Sequence, residues 1–269
     1  MYEPISHPKS IKVYNFIAIV ITLCLLSNCA SNAESHNLEP REDPAKIAAS
    51  LSQAEQLFGE RSDVDKLRQA VRTLAAARNP DLRNYEVEWK FAKYSYFLGK
   101  VEQKEADAIE VFEKGRDAAR IASRVEPEKP DGHFWFGANL GELSRISPIT
   151  VGIKSVDDIR ESMNKVIAID PSYQNASAYD ALGQLEMATR TLKGGSTAKA
   201  AEYFEKGIEL SPDNANLRLH LAEAYLALHK DAEARKHLNA LLSSAPHPQY
   251  VTEHKQAVEK GKGLLEKNF

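Results

Sequence analysis

Residues 196–246 read STAKAAEYFEKGIELSPDNANLRLHLAEAYLALHKDAEARKHLNALLSSAP. The apolar spacing predicts a helix over Ser196–Leu210, a turn at Ser211-Pro212-Asp213-Asn214, and helices over Ala215–Leu228 and Ala232–Ser243, the last closed by Pro246. Ala200, Phe204, Gly207 and Pro212 are followed, 34 residues later each time, by Ala234, Leu238, Leu241 and Pro246. An ordinary amphipathic hairpin would share the apolar spacing but not these fixed offsets.

A period of about 34 residues resembles that of the tetratricopeptide repeat, a helix–turn–helix unit that stacks into a solenoid. Leu221, Ala222 and Tyr225 fall where that repeat places a large residue, a small one and an aromatic, and Leu182-Gly183 opens the preceding unit in the same way. The reason is steric. A small side chain lets the two helices of a hairpin approach closely, and large neighbours fill the groove between hairpins.

Composition agrees with a helical array. The chain has 269 residues, 43% of them hydrophobic and 27% charged, with a formal net charge of −3. That balance lacks the basic footprint of a nucleic-acid binder. The two cysteines, Cys24 and Cys29, lie near the N-terminus, so the rest of the chain has no disulfide framework and no cysteine-based zinc site.

Residues 1–29 read as a leader. Lys9 and Lys12 precede an apolar run from Phe16 to Leu26, too short to span a membrane comfortably. Leu26-Ser27-Asn28-Cys29 resembles the lipobox of bacterial lipoproteins, in which the cysteine is lipidated; Asn28 departs from the Gly, Ala or Ser usual there. Ordinary cleavage after Ala33 is the alternative. Residues 30–43, polar and holding Pro40, read as a tether, and 44–269 as the repeat domain. The expected location is the periplasm or cell envelope, with a lipid anchor in a bacterial membrane.

Within 44–269 the expected class is all-α: a tetratricopeptide-like α-solenoid of about five helical hairpins with a C-terminal capping helix. Helices are expected over Pro44–Glu60, Val64–Ala77, Tyr85–Leu98, Lys104–Val125, His133–Leu143, Val156–Ile169 and Ala176–Thr191, before the three named above. Thr252–Lys267, apolar at Ala257, Val258 and Leu264 and lysine-rich elsewhere, is expected to cap the open end. Closing prolines at 127, 171, 212 and 246 stand 44, 41 and 34 residues apart. The early units are therefore expected to carry insertions between their helices, the clearest being irregular chain over 146–156.

Four stretches carry a narrower resemblance. They are Tyr85-Glu86-Val87-Glu88-Trp89-Lys90-Phe91-Ala92, Gly132 to Gly141, Ile169-Asp170-Pro171-Ser172-Tyr173, and Gly194-Gly195-Ser196 leading into Lys199-Ala200. Together they are similar to the T-component proteins of TRAP transporters, tetratricopeptide lipoproteins of tripartite periplasmic systems. The resemblance implies no catalysis, no cofactor, and association with a periplasmic solute-binding protein or another envelope protein. It also implies an apolar or organic-acid ligand. A second copy of the chain, and the membrane through the lipid on Cys29, complete the expected partners.

Motifs that suggest chemistry have simpler readings. Ser196-Thr197-Ala198-Lys199 matches the Ser-x-x-Lys of penicillin-binding proteins, but Ser-Asp-Asn and Lys-Thr-Gly are missing, and Ser196 reads as a helix cap. None of the eight histidines forms a His-Glu-x-x-His pair, and His133 beside Trp135 reads as a satisfied interface residue. Glu202, Glu205 and Glu209 read as a solvated helix face.

The groove is the remaining candidate. If the first helix of each hairpin lines it, its residues are Trp89, Lys93, Tyr96, Phe134, Ala138, Asp180, Gln184, Met187, Leu219 and Glu223. Trp89 and Phe134 are expected to share a cavity roofed by residues 148–152. The competing reading is that these apolar residues are core. Two functions stand: a binding accessory of a transporter, or an envelope adaptor that holds peptide segments in its groove.

Overall fold

The computed structural model describes residues 43–191 and 193–269; the leader, Cys29, all but the last residue of the tether, and Leu192 lie outside the described residues. Within these residues eleven α-helices follow one another: α1 (Pro44–Gly59), α2 (Val64–Ala77), α3 (Tyr85–Gly99), α4 (Glu105–Val125), α5 (Pro130–Ile146), α6 (Ile153–Ile169), α7 (Tyr173–Thr189), α8 (Thr197–Leu210), α9 (Ala215–Ala227), α10 (Asp231–Ser243) and α11 (Val251–Asn268). Among the described residues there is no strand.

Helix starts are set by side chains that accept from otherwise unpaired backbone N–H groups. Asp43, Asp63, Asn84, Ser196 and Asn214 do this for α1, α2, α3, α8 and α9. Ser196 Oγ accepts from Lys199 N at 3.3 Å, which makes it the expected cap.

Neighbouring helices pair as antiparallel hairpins. The first helices of successive hairpins also touch: α1 with α3, α3 with α5, α5 with α7, α7 with α9, and α9 with α11. No two second helices do so. This asymmetry curves the array, with α1, α3, α5, α7, α9 and α11 on its inner side.

Small residues set the close approaches. A Cβ on Gly183 would stand 2.2 Å from the Phe204 ring, and one on Gly132 would stand 2.4 Å from the Ser123 backbone nitrogen. Leu217, Leu221, Phe204 and Ala234 form one apolar cluster, and Leu219, Leu238, Leu241 and Ala257 form another beneath α11. The last helix therefore caps the array.

Two expectations are corrected. The early units are longer only partly through the expected connections, six residues at 147–152 and seven at 190–196 against three at 228–230. The rest comes from longer helices, α5, α6 and α7 running 17 residues each against 13 for α9 and α10. The expected irregular insertion is a single π turn, Pro148–Gly152, continuous with α6. Its backbone neighbours α5 and α6, Val151 packs on the cluster of Ala108, Phe112 and Leu143, and Ile149 is 79% exposed, so it roofs neither Trp89 nor Phe134.

The start of α7 was not foreseen. Gln174, Asn175 and Ala176 have φ of 49°, 59° and 58°, a left-handed turn of three non-glycine residues. Each is disfavoured by about 1–2 kcal/mol. The turn is held from outside, by Asn214 Nδ2 donating to the Asn175 carbonyl at 2.7 Å and Tyr250 Oη donating to Gln174 Oε1 at 3.0 Å.

Candidate functional site: the inner face of the array

On α3, Trp89 is half-buried and donates from Nε1 to Glu86 Oε2 at 3.0 Å. Four residues on, the Lys93 ammonium lies 5.1 Å from the Phe58 ring centre and 6.0 Å from those of Trp89 and Trp135. Burial holds its pKa below the usual lysine value, although Glu55 pulls the other way. Cation–π contact with three rings offsets part of the desolvation. Tyr96 tilts against Trp135 and Phe112 and carries Lys100 5.3 Å above its ring. Burial raises its phenol pKa.

Phe134 is 7% exposed and packs edge-on against Trp135 and Tyr173. It is core and offers no anchor to a ligand. Ala138, one turn on, is half-buried against the same core. Leu219 is 1% exposed in the cluster beneath α11 and is likewise no part of the groove surface.

The structure brings the remaining expected residues together. Gln184, Met187 and Glu223 line a cleft of about 290 Å³ with Ala188, Arg190, Phe204 and His220. At its wall His220 Nδ1 meets Asp180 Oδ1 at 2.6 Å, and Gln184 Nε2 donates to Asp180 Oδ2 at 2.7 Å. Burial alone would lower the His220 pKa, but the charge and hydrogen bond of Asp180 outweigh it, and the value is raised. His220 was missed because the inner face of α9 passes through it and Glu223 rather than through Leu219. One residue is about 100° of helix, enough to exchange groove for core.

Residues that suggested chemistry are either tied up by structural partners or face solvent. Lys199 Nζ stands 3.1 Å from Glu186 Oε1, a carboxylate also bound by Arg160 and by Ser196 N, so it is no partner for a Ser196 nucleophile. His133 Nε2 bonds the Pro127 carbonyl at 2.9 Å. Glu202, Glu205 and Glu209 are exposed.

The motif stretches are joints. Asp131 accepts from Tyr85 and Tyr173 hydroxyls, each at 2.6 Å, and so ties the starts of α3, α5 and α7. Asn139 donates to the Ala92 carbonyl at 3.2 Å and to that of Trp135 at 2.7 Å. Among the described residues, no group of three or more His, Cys, Asp or Glu side chains is placed to hold a metal ion.

Curved hairpins with a continuous inner face define a protein of the tetratricopeptide-repeat class, and residues 192–252 match a tetratricopeptide-repeat family. Residues 50–193 match the family described as Regulator of microtubule dynamics protein 1-3, and the chain belongs to it. It is 24% identical over 167 residues to Regulator of microtubule dynamics protein 3 of Rattus norvegicus, covering 56% of this chain and 35% of the relative. With the Bos taurus protein of the same name it is 24% identical over 170 residues, covering 57% and 36%. The chain thus spans about a third of the length of the curated relatives it matches. The fold is similar to the crystal structure of a thermophilic tetratricopeptide-repeat protein of Thermus thermophilus, with a TM-score of 0.56 and 16% identity, over 79% of this chain and 98% of that one.

Proposed function

We propose that this chain is a non-enzymatic docking protein that holds a segment of a partner protein on the inner face of its array. The observation behind this reading is that the first helices of successive hairpins form one continuous side, bearing Lys93, Tyr96, Gln184, His220 and Glu223. Mixed charge with aromatic and amide groups suits a polypeptide, which offers both backbone and side-chain partners. An apolar small ligand is less favoured, since Phe134 and Leu219 are core.

In the narrower reading the partner is a periplasmic solute-binding protein of a TRAP-type transporter, and the chain is lipid-anchored through Cys29. Its support is the four motif stretches and the lipobox-like Leu26-Ser27-Asn28-Cys29. An envelope adaptor would use the same face without a transporter. The family's name gives a second reading, a cytoskeletal partner, in which the array binds a microtubule-associated surface. The net charge of −3 gives no general attraction to an acidic polymer.

Calorimetry of the full-length chain against a purified solute-binding protein, beside co-sedimentation with polymerised tubulin, separates these partners. Gln184→Lys combined with Glu223→Lys should weaken partner binding at least tenfold, measured at a temperature where melts show both chains fully folded, because Gln184 also bonds Asp180. Binding untouched by that pair would remove the inner face from the site. No binding to the solute-binding protein would remove the transporter reading. In a bacterial host, Cys29→Ala should lose labelled fatty acid; retained label would dispose of the anchor.

A further inference from the structure

In a solenoid each hairpin touches its neighbours. Here the first hairpin also meets the last. Arg61, in the turn between α1 and α2, donates from Nη2 to the Gln249 carbonyl at 3.1 Å and stands 3.8 Å from Glu253 Oε1. The rings of Phe58 and Phe97, 5.0 and 5.4 Å away, hold its guanidinium in place. Gln249 lies in a short 3₁₀ turn, Pro248–Tyr250, between α10 and α11. Tyr250 reaches back to Gln174 on the left-handed turn that opens α7.

This connection is lightly held. The backbone of the 3₁₀ turn packs on α11 alone, and Pro248, Gln249 and Val251 are exposed. A cleft of about 380 Å³ lies against it, walled by Asp170, Tyr173, Gln174, Asn175 and Ser211 among others. Glu253 Oε2 is buried with no hydrogen-bond partner, so the Arg61 contact leaves that carboxylate half-satisfied. A partly exposed ion pair at 3.8 Å adds little stability and weakens with salt. Such a contact suits a catch better than a brace.

We propose that residues 246–253 are a latch across the inner face, fastened to Arg61 and released when a partner's extended segment brings a carboxylate to that arginine. This rests on the inner face being the docking face. A carboxylate can engage a guanidinium through two parallel bonds, which are stronger than the single bond to the Gln249 carbonyl. The incoming acidic side chain takes Arg61, and the latch loses its fastening.

Hydroxyl-radical footprinting of the full-length chain tests the latch without any partner. Arg61→Ala should raise oxidation of Tyr250 and Phe97 at least threefold while leaving Trp135 unchanged, and Arg61→Lys should fall between. If Arg61→Ala disturbs the fold and Trp135 also rises, Arg61→Lys decides, since it keeps the charge and the stem beside Phe58 and Phe97 but loses the planar guanidinium that bonds the Gln249 carbonyl. Unchanged Tyr250 oxidation in that variant overturns the latch.

A second arm uses an acidic peptide selected from a displayed random library on the immobilised Glu253→Ala/Tyr250→Phe chain. It should associate with that loosened form, which keeps only the Arg61 bond to the Gln249 carbonyl, at least tenfold faster than with the native chain, and Arg61→Ala should erase the gain. Equal rates for native and loosened chains overturn the gating. If no form retains any peptide, the docking reading and carboxylate release fall together, and footprinting alone decides whether the fastening exists.

Discussion

Single residues carry two kinds of electrostatic work in this protein. Glu88 is 1% exposed and receives Arg78 Nε at 2.8 Å and Arg83 Nη1 at 3.1 Å, so its charge is buried only because two guanidinium groups meet it. Arg78→Ala would leave that carboxylate with one partner. The loss should be about 3 kcal/mol, the low end for a broken buried pair because Arg83 remains, read by chemical denaturation. The Asp180–His220 pair is instead pH-sensitive. The folded His220 pKa lies above its ordinary 6.5, so its contribution is full below that value and fades as pH rises through the raised one. Thermal melts should therefore fall between pH 6 and pH 8 more in the native chain than in Asp180→Asn. Equal slopes would show that the pair does not titrate in that window.

At the scale of elements, the hairpins are spaced by residues with no room to grow. Gly183 sits under Phe204, a fully buried ring between α7 and α8, and Gly183→Ala forces that ring to move. Overpacking of this kind should destabilise by about 1–3 kcal/mol, with helix content by circular dichroism unchanged before the transition. An unaltered midpoint would mean that α7 and α8 can slide apart freely. Leu182-Gly183 and the 34-residue offsets made this contact legible, because periodicity and small residues report packing directly. The left-handed turn at Gln174–Ala176 was not legible, since nothing local favours it; Asn214 and Tyr250, 39 and 76 residues away, hold it.

For the whole molecule, the open end is covered by α11, which sits over Leu219, Leu238 and Leu241. A chain ending at Pro246 would expose those leucines, and light scattering should show self-association at micromolar concentration. A monodisperse truncated chain would show that α11 is dispensable as a cap. Within the intact chain, Leu219→Ala should cost about 2–5 kcal/mol, as a buried leucine does when a cavity is left.

The hairpins, their order, the inner side and the capping helix followed from sequence alone, because repeat period, apolar spacing and cap residues act over a few residues or a fixed offset. The angular setting of each helix did not. Apolar spacing marks a buried stripe but not whether the stripe meets a neighbouring hairpin or the groove, so it left Phe134 and Leu219 open between groove and core, and only the structure places them in the core. Tertiary structure alone decided that the inner face mixes charged, amide and aromatic groups, that Asp131 joins three helix starts, and that Arg61 meets Gln249 across 188 positions. Those contacts depend on the summed curvature of five hairpins, which no local stretch of residues contains.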